Sequence, residues 1–172
     1  MGQLTSLLYL SLGYARLTAI PETILQLVNL QELNLSYNQT TYLPNSPAQF
    51  SKLQRLDLSH NKITSLPNWL ARLDKLESLQ LEVSSLTSLP GFLSLLTNLT
   101  NLNLRDNGIV SLPKSLAHLT KLQFLDLTGN YIPGRTPLRA EAWRVESFSL
   151  SSVDLDLQLI PAHGQTGPFG RA

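Results

Sequence analysis

The chain has 172 residues, 13 Lys and Arg against 12 Asp and Glu, and no cysteine. Near-neutral charge removes the basic excess that a polyanion partner requires, so no nucleic acid is expected. Missing thiols exclude disulfide caps, thiolate catalysis and thiolate metal sites, and no apolar run approaches the roughly 18 residues that cross a bilayer, so no membrane partner is expected.

In chain order the first feature is a period. A leucine opens each unit at Leu7, Leu30, Leu53, Leu76, Leu99 and Leu122, always 23 positions after the last. A fixed period of this length marks a solenoid, and six units occupy residues 1–133. The opening MGQLTSLLYLSLGYA has a signal peptide's apolarity but no basic n-region, and its leucines keep the repeat register. It is therefore assigned to the fold.

Within each unit, leucines such as Leu56 and Leu58 alternate with Arg55, Asp57 and Ser59, which predicts a short strand with its leucines inward. Successive strands pair in parallel about 4.8 Å apart, and the bulkier remainder of each unit bends the stack so that the strands line its concave side. Asn38, Asn61, Asn107 and Asn130 stand where the chain turns inward, and an amide there both donates to and accepts from stranded backbone groups. Ala15 and Ser84 take that place in two units, so a water or a loosened turn is expected at each. Pro21, Pro44, Pro67, Pro90 and Pro113 suit the first position of a short helix or 3₁₀ turn. Leucines such as Leu70 and Leu73 then pack inward. In the second unit Pro47 and Phe50 replace those leucines and Thr40 replaces an inward aliphatic, which predicts an extended convex segment.

Beyond Ile132 the spacing survives in weakened form. Val145 lies 23 residues after Leu122, so a degenerate seventh strand is expected over 145–150 within a carboxy-terminal cap spanning 134–160. SVDLDLQLIP supplies a further edge strand whose Asp residues discourage edge pairing. The Gly-rich stretch 161–172 is expected to be disordered. At the other end no polar cap precedes Leu7. This makes Leu4, Leu7 and Leu8 an expected surface for self-association or for packing on another domain, as in a fragment of a longer protein.

Leu53, Leu56, Leu58, Asn61, Ile63, Leu66, Pro67, Leu70 and Leu73 spell LxxLxLxxNxLxxLPxxLxxLxx. On these residues, repeated in register over 4–133, the chain resembles the cytosolic leucine-rich-repeat family. The resemblance implies an α/β solenoid: a curved horseshoe with a parallel concave sheet and short helical, 3₁₀ or extended convex segments. Cytosolic members serve as recognition parts of signalling scaffolds, multidomain GTPases and immune-type receptors, so a protein or peptide partner and no catalysis are implied. Extracellular members usually carry cysteine-bonded caps. The absence of cysteine therefore points to the cytoplasm.

Removing the structural positions leaves four outward columns. The first runs Tyr9, Glu32, Arg55, Ser78, Asn101, Phe124; the second Ser11, Asn34, Asp57, Gln80, Asn103, Asp126. The third runs Gly13, Ser36, Ser59, Glu82, Arg105, Thr128; the fourth Tyr14, Tyr37, His60, Val83, Asp106, Gly129. Interface centres favour aromatic residues and Arg, so the candidate partner-binding positions are Tyr9, Tyr14, Glu32, Tyr37, Arg55, Asp57, His60, Gln80, Arg105, Asp106, Phe124 and Asp126. Seven strands would offer roughly 30 Å of concave length.

Other chemistry finds little footing. Asp57 and His60 with Ser36 or Ser59 spell a hydrolytic triad on paper, but an open sheet has no pocket to exclude water. His60, His118 and His163 fall on a strand end, a convex segment and the tail, too dispersed for a shared metal. TGNYIPG lacks the lysine of a phosphate loop, so no cofactor is expected. Sequons begin at Asn34, Asn38 and Asn98, but Asn38 is a ladder residue expected to face inward.

Overall fold

The computed structural model describes residues 6–45 and 49–132, together with the backbone of 143–144. Among the described residues seven strands form one sheet in chain order: β1 (Tyr9–Ser11), β2 (Glu32–Asn34), β3 (Arg55–Asp57), β4 (Ser78–Gln80), β5 (Asn101–Asn103), β6 (Phe124–Asp126) and β7 (Trp143–Arg144). From β1 to β6 every pairing is parallel, and each residue faces the one 23 positions on, as Tyr9 faces Glu32 and Glu32 faces Arg55. The sequence period is thus the sheet register itself.

The central leucines of β2 to β6, Leu33, Leu56, Leu79, Leu102 and Leu125, are buried in one continuous core. Each stabilises the fold by about 2 kcal/mol through removal of its side chain from water. One unit cannot do this alone, because the surface that covers its leucines belongs to the units on either side.

A five-residue 3₁₀ turn follows four of the prolines, at Glu22–Gln26, Asn68–Arg72, Gly91–Leu95 and Lys114–His118. The proline stands one residue before the turn rather than at its first position. Its backbone is extended, with ψ between 128° and 153°, and its carbonyl accepts the turn's first hydrogen bond, as from Leu70 N–H to Pro67 at 3.2 Å. A fixed φ serves this cap as well as it would serve the turn.

The second unit differs, as its composition predicts. Among the described residues no 3₁₀ turn follows Pro44, and Pro47 lies outside them. Phe50 is buried with its ring edge-on to Trp69 at 5.9 Å and 71°. The indole of Trp69 in turn donates to the Pro44 carbonyl at 2.8 Å. Thr40 is buried, and its hydroxyl donates to the Leu17 carbonyl at 3.4 Å.

The parallel stack ends at β6. β7 pairs with it antiparallel, Leu125 facing Trp143 and Phe124 facing Arg144, so it does not continue the period. The strand expected over 145–150, the edge strand after it and the tail at 161–172 lie outside the described residues.

Candidate functional site

The asparagines at the inward turn are tied into the fold. The Asn61 amide donates to the carbonyls of Leu35, Leu58 and Ser59 at 3.0 to 3.2 Å and accepts from Thr40 N–H at 3.1 Å. Asn38, Asn107 and Asn130 repeat this pattern one or more units away. The sequon at Asn38 is therefore built on a buried, fully bonded side chain. At the two exceptions the turn changes: Ser84 Oγ is buried and makes no hydrogen bond, and beside Ala15 the first unit has a second left-handed residue, Arg16 at φ 56°.

The fourth column holds a feature that residue types alone do not announce. All six members are left-handed: Tyr14, Tyr37, His60, Val83 and Asp106 at φ between 48° and 58°, and Gly129 at 73°. This conformation costs an ordinary residue about 1–2 kcal/mol. It persists because in the five non-glycine members the N–H still reaches the next unit, as from Tyr37 to Ser59 at 2.9 Å and from His60 to Glu82 at 2.7 Å. Stacked 23 residues apart, Tyr14 and Tyr37 lie with ring centroids 4.2 Å apart, and Tyr37 and His60 4.0 Å apart, both pairs nearly parallel. Both faces of the Tyr37 ring are thereby covered. Its outward edge and hydroxyl remain, and a hydrogen bond with Tyr14 pushes that hydroxyl above the ordinary phenol range.

The second and third columns belong partly to the fold. Asn34, Asp57, Asn103 and Asp126 each accept, through a side-chain oxygen, the N–H two residues on, at 2.9 to 3.1 Å. These short-range bonds close the end of each strand. Ser36, Ser59, Thr128 and Asp126 are buried, which removes Ser59 and Asp126 from the freely available positions. The recurrence of Asn or Asp at four of the six places in the second column was the signal for this role. Gln80 breaks the pattern with its longer side chain, donating instead to Ser78 Oγ at 3.0 Å and Asn101 Oδ1 at 2.6 Å.

In the first column Arg55 is ion-paired with Glu32. That hydrogen bond holds the Glu32 carboxyl below its usual range and raises the guanidinium of Arg55. Arg105 pairs with Asp106 at 3.1 Å and lies 3.9 Å from Glu82. The Arg55–Glu32 pair borders a shallow hollow of about 190 Å³, lined also by Tyr9, Asp57, Ser78 and Gln80 among others. Tyr9 is exposed at its rim, Tyr14 and Tyr37 are exposed in the fourth column, and Phe124 of the sixth strand is half-buried.

No triad assembles on this face. His60 stacks on Tyr37, while Ser36 Oγ donates to Asn34 and the Ser59 backbone donates to Asp57. Among the described residues no group of three or more His, Asp or Glu side chains is placed to hold a metal ion, and no helix is long and apolar enough to cross a membrane. His163 lies outside them.

Among the described residues, six parallel strands with a polar outward face and 3₁₀ turns after four of the prolines define a repeat solenoid. Residues 1–104 match the family model of a leucine-rich repeat region, and residues 97–138 match that of two copies of the repeat. The chain belongs to the leucine-rich repeat family, whose members are generally non-enzymatic scaffolds. No curated protein matches it.

Among solved structures it is similar to a leucine-rich repeat protein of Leptospira interrogans, with 42% identity and a TM-score of 0.73 over 75% of this chain and 33% of that one. It is also similar to the ectodomain of the Arabidopsis thaliana membrane receptor kinase GASSHO1/SCHENGEN3, solved in complex with Casparian strip integrity factor 2. There the identity is 36% and the TM-score 0.69, over 76% of this chain and 16% of the ectodomain. An internalin of Listeria monocytogenes aligns with a TM-score of 0.69 at 28% identity, over 76% of this chain and 37% of that one. The chain thus spans about a third of the Leptospira protein and about a sixth of the plant ectodomain.

Proposed function

We propose that the concave sheet binds a protein or peptide segment and carries out no chemistry of its own. The observation that carries this is the uncovered face itself. Parallel sheets are ordinarily covered on both sides, yet here the outward side presents tyrosines, ion pairs and amides around a shallow hollow. Two structural neighbours support the reading: the GASSHO1/SCHENGEN3 ectodomain, solved in complex with Casparian strip integrity factor 2, and a plant peptide hormone receptor, solved in complex with RGF2. The absence of cysteine favours a reducing, cytoplasmic setting.

The test selects displayed random twelve-residue peptides on the native chain, then measures their binding to two variants. Ser78→Trp fills the hollow, while Lys114→Glu alters a 3₁₀ turn on the opposite side. Loss of binding to Ser78→Trp alone is the expected result. Peptides that bind Ser78→Trp as well as the native chain would sink the proposal.

A second reading rests on the first unit. Leu7, Leu10 and Leu12 are only partly covered, whereas their counterparts from Leu30 onward are buried, and Leu8, a leucine where the later units carry polar residues such as Gln31, is 51% exposed. We propose association through this end, with another copy or another domain. Light scattering across a concentration series tests the self-association arm: mass that rises for the native chain and not for Leu8→Glu is expected, and a constant native mass would count against it. Leu4 lies outside the described residues.

A further inference from the structure

Charge is sorted between the two sides of this molecule. The four outward columns carry five carboxylates, Glu32, Asp57, Glu82, Asp106 and Asp126, against the guanidinium groups of Arg55 and Arg105. The remainder of residues 6–132 carries seven Lys and Arg against three Asp and Glu. A chain with net charge +1 therefore presents an acidic face to whatever approaches its sheet.

Both arginines of that face are already engaged, Arg55 with Glu32 and Arg105 with Asp106. Asp57 takes part in none of the ion pairs among the described residues. One of its oxygens accepts Ser59 N–H at 2.9 Å, which leaves the second for a ligand. Asp57 lines the central hollow with Tyr9, Ser78 and Gln80, and the amide of Gln80 spends its donors on Ser78 and Asn101. Besides the Asn34 amide and the guanidinium of Arg55, the hollow offers acceptors: a carboxylate oxygen, the Gln80 amide oxygen and a serine hydroxyl. The exposed ring of Tyr9 borders it, and such a ring attracts a guanidinium or ammonium placed over its face. The opposing charge of Arg55 at the same hollow is held by Glu32.

We propose that the segment bound by the concave face is cationic: an extended stretch whose lysine or arginine enters the hollow and pairs with Asp57. This rests on the concave-binding reading above and names the chemistry of its partner. Like charges keep acidic segments off the face, and the surrounding carboxylates speed the approach of basic ones. The basic excess of the remaining residues lies outside the four outward columns.

The same display selection separates the two ideas. Peptides recovered at low salt are expected to be enriched in Lys and Arg over the starting library and depleted in Asp and Glu. Their affinity is expected to fall about 1.5- to fivefold for Asp57→Asn, the range of an exposed ion pair, and to weaken as salt rises. Asp57→Asn keeps the oxygen that accepts Ser59 N–H, so the strand end stays closed. Asp74→Asn, which removes a carboxylate outside the columns, is expected to change nothing. Peptides blocked by Ser78→Trp but carrying no basic excess, or indifferent to Asp57→Asn, overturn the cationic partner while leaving the concave face in place. Peptides not blocked by Ser78→Trp, or a library that yields no binder, overturn both.

Discussion

Residues 60–61 and 83–84 occupy the same place in successive repeats and meet the same backbone demand with different side chains. His60 is left-handed and stacked on Tyr37, and Asn61 beside it makes four hydrogen bonds. Val83 is equally left-handed, at φ 48°, but is β-branched and half out in solvent, and the Ser84 hydroxyl is buried without a partner. Even so the backbone course is the same: Val83 N–H reaches Arg105 at 2.9 Å and Ser85 N–H reaches Ile63 at 3.0 Å. A turn that its own residues serve poorly is held by the units on either side, as expected where stability is a sum of repeat and neighbour contributions. The asparagine ladder is a source of stability rather than a condition for the turn to exist.

This comparison can be broken from either side. Asn61→Ser copies the fourth unit's arrangement into the third and strands several buried carbonyls and an N–H. It should cost about 3 kcal/mol in chemical denaturation, since each unmet buried group costs about 1–3 kcal/mol. An effect below half of that would mean that the ladder's bonds are dispensable. The reverse change, Ser84→Asn, should add about 1–2 kcal/mol by completing the ladder. A smaller gain of about 1 kcal/mol is expected from Val83→Asn, because asparagine visits the left-handed region readily and valine does not. If the two fourth-unit changes fail to raise the denaturation midpoint, the strain and the lone hydroxyl are relieved by relaxation of the turn.

Much of this was legible in the sequence, for a physical reason. The 23-residue period fixes the pairing register, because in-register parallel stacking puts every residue beside its counterpart in the next unit. Leu56 beside Leu79, Asn61 inward and Phe50 in place of a leucine all follow from spacing. The left-handed fourth column was largely hidden, since tyrosine and valine carry no mark of positive φ and His60, Asp106 and Gly129 are only the types more often found there. A Cβ at Gly129 would fall 2.0 Å from Asp106 Oδ1. The division of the outward columns into available and claimed positions was also hidden. Asp57 and Asp126 are chemically identical and hold equivalent places in the register, and only burial separates the one lining the hollow from the one closed into the strand end.

The smallest effect belongs to the exposed pair of the first column, and its sign is set by the direction of the shift. Arg55 holds the Glu32 carboxyl below its ordinary value chiefly through their hydrogen bond. A carboxylate whose folded pKa is depressed contributes stability that is fully present above its unfolded pKa and is lost as pH falls through the folded one. Stability should therefore decline slightly more in acid for the native chain than for Arg55→Gln, where Glu32 keeps its ordinary value. Denaturation midpoints of the two proteins, compared at neutral pH and again below the usual carboxylate range, give the test. The difference between them should narrow in acid and shrink at high salt, because both groups are exposed and screened. A gap that stays constant with pH would mean that Arg55 contributes through the contacts of its stem rather than through its charge.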